Sequence, residues 1–189
     1  MTLTQPRPEA DQVQQHTQRW LERAVIGLNL CPFAKAVHVK GQIHYAVTAA
    51  SDATELLADL RQALLDLAEA DPADRDTTLL VAPGALADFL DFNDFLGRAD
   101  RLLRKLRLDG VLQIASFHPN YQFADAGLDD VSNCSNRAPY PTLHLLREDS
   151  IARAVQAVPD AADIFERNRR TLSDLGFAGW AALGLDSSL

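Results

Sequence analysis

The chain has 189 residues, 47% hydrophobic and 23% charged, with 26 acidic against 18 basic side chains and a formal net charge of −8. That length suits one domain with a real core, and the acidic balance disfavours phosphate backbones and anionic membranes, so neither nucleic acid nor membrane is an expected partner. No apolar run approaches the ~18 residues of a membrane span, the first dozen residues lack the pattern of a secretory signal, and the two cysteines, Cys31 and Cys134, form no CxxC pair; the expected setting is a reducing cytoplasm.

Residues 1–8 are polar and Pro-containing and are expected to be disordered, residues 9–178 to form a single globular domain, and residues 179–189 to form a flexible tail. A first helix is expected from Glu9 to Leu28, with Val13, Thr17, Trp20, Ala24 and Leu28 on one stripe. Gly27 and Asn29 mark its end. Cys31 follows in GLNLCPF, where Pro32 keeps it out of helical geometry and favours a short helix over Pro32–Val37 with Cys31 as its N-cap. A thiol so placed would have a lowered pKa and act as a nucleophile at neutral pH; the alternative is a buried small hydrophobe.

Val39 to Val47 reads as a strand. Asp52-Ala-Thr-Glu55 resembles a capping box opening a helix whose stripe is Leu57, Leu60, Leu64 and Leu67, and which Asp71-Pro72 ends. Thr77 to Ala82 is a short, nearly all-apolar strand of the kind covered on both faces. A helix from Leu86 to Leu106 repeats Phe89, Phe92, Leu96, Ala99, Leu103 and Leu106 at spacings of three and four. Val111 to Phe117 and Thr142 to Leu146 are two further strands. Helices over Ser150–Ala157 and Asp160–Leu175 complete the chain, with Gly176 as C-terminal cap.

The fold class expected from this order is α/β: a small mixed sheet of four strands, three parallel and the fourth antiparallel, with helices on both faces. The fourth strand is set antiparallel because its connection carries no crossover helix. That connection, over 118–141, is far longer than the usual loop, which marks it as functional or disordered; the aromatic residues and prolines at both its ends favour an ordered loop. Ligands in open α/β sheets bind beyond the carboxyl ends of the strands, and the loop leaves from that edge. His118, Asn136, Arg137, Tyr140 and His144 are therefore expected near one rim.

Arg137 is the leading candidate for a binding residue, since its planar fork holds a carboxylate or phosphate by two parallel hydrogen bonds. Its structural alternative is pairing with Asp125, Asp129 or Asp130 inside the loop. His118, extended by the following Pro119, is a candidate general acid or base; its alternative is a loop histidine bonded to backbone. His144 alternates with Leu143 and Leu145 and so points away from both; if those leucines face the core, it faces helices or solvent. Asn168 falls on the buried stripe of the last helix, where its amide needs a partner; it either ties that helix to the loop or lies at the stripe's edge in contact with water. Cys31, His118, Cys134 and His144 have spacings that match no standard zinc pattern, so no metal or other cofactor is expected.

The runs GLNLCPFAKAV at Gly27–Val37, FHPNYQFA at Phe117–Ala124 and SNRAPYPTLHLLRE at Ser135–Glu148 resemble the bacterial domain-of-unknown-function family 1415, found mainly in proteobacteria. The resemblance runs from the first helix through Gly176. It implies a single compact domain and assigns no reaction. In the family's usual third motif Thr and Ser flank Asn-Arg; here Ser135 and Ala138 stand in those places, so any ligand bond made by the second hydroxyl is lost.

The reading is a cytoplasmic enzyme acting on a small anionic metabolite at a cleft formed by the 116–147 loop. Arg137, Asn136, Tyr140 and His144 would bind it, His118 would move a proton and Cys31, if it reaches the rim, would be the nucleophile or a thiol ligand. The alternative is a non-catalytic metabolite- or protein-binding module. Oligomeric state is left open.

Overall fold

The computed structural model describes residues 9–157 and 163–185; residues 1–8, expected to be disordered, lie outside these. Helix α1 (Ala10–Trp20) runs into a π segment (Leu21–Ile26) and then, past a turn, into the short α2 (Ala34–Val39). The π segment comes where the predicted first helix was to end. Its wider turn brings the Arg23 carbonyl oxygen up against the place where a Cβ on Gly27 would sit, so only glycine closes it.

Strand β1 (Ile43–Val47) is shorter than expected. Val39 ends α2, and the chain turns through Gly41 before pairing begins. Helix α3 (Ala53–Glu69) is capped by Asp52, whose carboxylate accepts from the backbone N–H groups of Thr54 (2.7 Å) and Glu55 (2.9 Å). The Glu55 carboxylate turns back to the N–H and hydroxyl of Ser51, both at 2.8 Å, one residue short of the reciprocal box. Strand β2 (Thr77–Val81) is buried at every position. Helix α4 (Phe89–Lys105) starts at an Asp88 cap. Strands β3 (Leu112–Phe117) and β4 (Thr142–Arg147) flank the long loop, which contains a 3₁₀ helix over Val131–Asn136. Helix α5 (Glu148–Ala157) follows β4 directly.

Helix α6 (Ile164–Ala182) is broken at Gly176, whose φ of 63° ends one helical segment as a C-terminal glycine does, after which a second begins. Trp180, Leu183 and Leu185 pack onto the cluster around Trp20, so the stretch from 179 to 185, expected as a tail, continues the helix and joins a core. Residues 186–189 lie outside the described part.

The sheet order is β1-β2-β4-β3. This corrects the expected run of three parallel strands: only β1 and β2 pair in parallel, and β4 inserts antiparallel between β2 and β3. Strand β3 still points the same way as β1 and β2. The arrangement goes with burial: β2, buried at every position, and β4, buried at half of its positions, take the centre, and the more exposed β1 and β3 take the edges. One sheet face carries Leu80, Leu143, Leu145 and Leu112 against α3 and α4, forming the main core with Leu60, Leu64, Phe92 and Phe95. The other face carries Ile43, Leu79, His144 and Phe117 and is covered from the α1–α2 side and by α5. No helix among the described residues is long and apolar enough to cross a membrane.

Candidate functional site

The residues expected at one rim divide between the two faces of the sheet. His118 follows β3 and is fully buried on the α4 face, its ring 5.4 Å from Phe89 and 5.1 Å from Phe92. Its Nδ1 accepts from the N–H of Asn120 (3.0 Å), which leaves the proton on Nε2, and Nε2 donates to the Leu86 carbonyl (3.0 Å). Burial holds its pKa below the ordinary histidine value. Both ring nitrogens are thus committed to backbone. The Leu86 carbonyl belongs to a residue at φ 56°, so the imidazole pins a left-handed turn ahead of α4.

Arg137 closes the 3₁₀ helix. Its Nε donates to the Tyr121 carbonyl (3.3 Å), its Nη2 to the Leu128 carbonyl (3.2 Å), and its side chain also reaches the Cys134 thiol. These partners, rather than Asp125, Asp129 or Asp130, hold the loop. The Asn136 amide donates to the Ser116 carbonyl (3.2 Å), and the Asn136 backbone carbonyl accepts from the N–H of His118 (3.1 Å). The Tyr140 hydroxyl meets Nδ1 of His16 at 2.8 Å, and its ring packs with Val13 and Leu79. The loop is therefore a self-knit element whose polar side chains bond mainly to its own backbone and to strand ends. His118 and Arg137 share the Tyr121 backbone, since Tyr121 N–H donates to the His118 carbonyl (3.1 Å), but their side chains serve different walls.

Cys31 and His144 share a cavity elsewhere. Both line a cavity of about 330 Å³ on the face of the sheet opposite His118, beneath α2 and α5 and near the amino ends of β1 and β2. Leu21 and Val25 of the π segment, Phe33, Val37, Leu79 and Ile151 supply much of its apolar wall. Asn168 helps to set the Cys31 corner: its amide donates to the Leu30 carbonyl (2.8 Å), tying α6 to that corner rather than to the long loop.

His144 stands on the cavity face because Leu143 and Leu145 take the core face. The Thr77 hydroxyl donates to the Leu145 carbonyl (2.6 Å), so its oxygen accepts from Nε2–H of His144 (2.6 Å). That fixes the tautomer and leaves the Nδ1 lone pair without a partner among the described residues. Loss of hydration holds the His144 pKa down at about 4, so the ring is neutral at pH 7.

Cys31 is half-buried. Backbone N–H groups of Phe33 and Ala34 reach its sulfur and favour the thiolate, but desolvation is larger and the thiol is pushed up. This corrects the expected lowering: α2 begins at Ala34, only six residues long, and its dipole is outweighed by the apolar wall.

Sequence reasoning missed the α5 end of the cavity. There the Ser150 hydroxyl donates to Asp76 (2.5 Å), and Arg147 lies beside them. The Arg147 fork is spent on carbonyls of Leu67 and Ala70 (each 2.6 Å) and Arg75 (3.2 Å), closing the C-terminus of α3. The sequence signal for Arg147 was its place at the end of the third motif; nothing in spacing indicated Asp76 or Thr77. Among the described residues no three of His, Cys, Asp and Glu gather to hold a metal ion.

All three runs that carry the family resemblance contribute to this cavity: Cys31, Phe33 and Val37 among others from the first, Phe117 from the second, and His144, Leu146 and Arg147 from the third. No curated protein and no solved structure matches the chain. The model of one family, described as Protein of unknown function (DUF1415), matches residues 12–182. The chain belongs to that family.

Proposed function

We propose that this protein is a binding module for a small, mainly apolar molecule carrying one hydrogen-bond donor, seated between the sheet and helices α2 and α5. The observation that carries the reading is the make-up of the cavity: about 330 Å³, walled by aliphatic and aromatic side chains, with few polar groups at defined places. Such hollows gain affinity from apolar area and orientation from the polar minority. The neutral His144 ring presents a lone pair and so asks for an O–H or N–H from the ligand. Asp76 stands at the α5 end, and the Arg147 N–H groups beside it are taken up by carbonyls, so an anion finds no free guanidinium fork in this cavity.

A thiol–imidazole pair is the second reading, favoured by Cys31 and His144 lining one cavity. Burial pushes the Cys31 thiol up and holds the His144 ring down at about 4, so proton transfer from the thiol to the imidazole runs uphill. That weighs against a resting thiolate–imidazolium pair. The enzyme acting on an anionic metabolite at the 116–147 loop draws less support, because the Arg137 fork and both His118 nitrogens already have backbone partners.

A thermal-shift screen of small alcohols, phenols, indoles and amines against carboxylates and phosphates tests the proposal. A ligand at about 100 times its Kd adds ~2.7 kcal/mol of stability. The expected result is stabilisation by the apolar donors, lost in Ala154→Trp, which fills the cavity. Stabilisation by anions alone, lost in Arg137→Gln, overturns it in favour of the loop.

A further inference from the structure

The α3 face of the sheet holds a second hollow of different character. Strand β1 and helix α3 enclose about 370 Å³ lined by His44, Asp59, Gln62, Asp66, Arg75 and Thr78, among others. The register sets His44 opposite Thr78 on one face. Asp59, Gln62 and Asp66 recur at helical spacing along α3, and Arg75 enters from the turn before β2.

Two independent features mark this hollow as built for a ligand. The Thr78 hydroxyl is buried with no hydrogen-bond partner, in a residue only 1% exposed that lines the hollow; native structures seldom leave such a group unsatisfied. The Arg75 guanidinium, meanwhile, has neither an ion pair nor a hydrogen bond among the described residues, although two carboxylates stand round the same space. Those carboxylates are held in place by neutral donors, Asp59 by the Thr48 hydroxyl and Asp66 by the Gln62 amide (2.7 Å). Arg75 and the two carboxylates thus line one hollow without an ion pair between them among the described residues.

We propose that this hollow binds a small zwitterion, of which a free α-amino acid is the simplest kind. Arg75 takes the carboxylate through its fork, Asp66 and Asp59 receive the ammonium, and a polar group of the ligand against β2 supplies Thr78 with its missing partner. The site is separate from the apolar cavity, which lies on the other face of the sheet.

Isothermal calorimetry on the full chain tests this, using glycine, L-alanine, L-serine and L-glutamine, each with its N-acetyl and carboxamide derivative. A free amino acid is expected to bind, and removal of either charge to weaken it roughly tenfold or more. Arg75→Gln should remove the preference for the free acid over its amide, and Asp66→Asn the preference for the free amine over its N-acetyl form. Asp66 is exposed, so that variant tests the proposal even if Arg75→Gln folds poorly. No binding by any amino acid, equal binding by the derivatives, or unchanged Kd in both variants overturns it. Uptake of apolar probes by the other cavity should persist in both variants, which separates failure here from failure there.

Discussion

His144 makes a prediction that follows directly from its surroundings. The ring titrates at about 4 in the folded protein against an ordinary 6.5. A histidine whose folded pKa is depressed binds its proton more readily when unfolded, so its contribution to stability is present above the unfolded pKa and lost as pH falls. The window runs from about 6.5 down to about 4. At roughly 1.4 kcal/mol per unit, that shift amounts to ~3 kcal/mol. His16, His44 and His118 are shifted in the same direction and add their own acid lability, so a pH profile of the native protein alone does not isolate the effect. His144→Gln keeps a donor for Thr77 and removes the titration. Urea unfolding of both proteins across pH 4–7.5 gives a stability difference in which the other histidines cancel. The native protein should lose ~2–3 kcal/mol more than the variant across that range. A pH-independent difference, or an NMR titration placing the His144 ring near 6.5, refutes the desolvated, neutral imidazole on which the cavity's chemistry rests.

Three further outcomes are expected. Cys31, with its thiol pushed up by burial, should react with iodoacetamide at pH 7 more slowly than a free cysteine peptide; faster labelling would restore the nucleophile. Arg147→Met removes charge-assisted bonds to the carbonyls of Leu67 and Ala70 at the end of α3 and of Arg75 in the turn before β2 and should cost ~2–4 kcal/mol in denaturant unfolding, whereas an unchanged midpoint would mean those contacts do not form in solution. Arg137→Ala should loosen the 116–147 loop by ~1–3 kcal/mol and open it to limited proteolysis while leaving uptake of apolar ligands by the cavity intact; loss of that uptake with no change in loop protection would point to a direct ligand contact.

Local chemistry made much of the fold readable. The Asp52 cap, the Phe92–Ala99–Leu103 stripe and the lack of a crossover α-helix in the β3–β4 connection each indicated the structure that forms. The position of β4 between β2 and β3 did not follow from connectivity, because a long loop allows either edge or centre, and the edge strands IHYAV and LQIASF are no less apolar than the central ones. Alternation along β4 put His144 opposite Leu143 and Leu145, yet it could not reveal that α2 and α5 would roof that face. His118 and Arg137 looked available because their partners are backbone carbonyls and amides, which a sequence shows everywhere and locates nowhere. For Cys31 the dipole was legible and the desolvating wall of Leu21, Val25 and Phe33 was not.

Where a ligand sits decides the central claim. Side-chain-resolved NMR during titration with the best apolar donor from the thermal-shift screen should move the His144 ring, the Ile151 methyls and Cys31 together, and leave Arg137 and Tyr121 still. Perturbations gathered around Arg137, Tyr121 and Leu128, with the His144 ring unmoved, would contradict the account and return the binding site to the long loop.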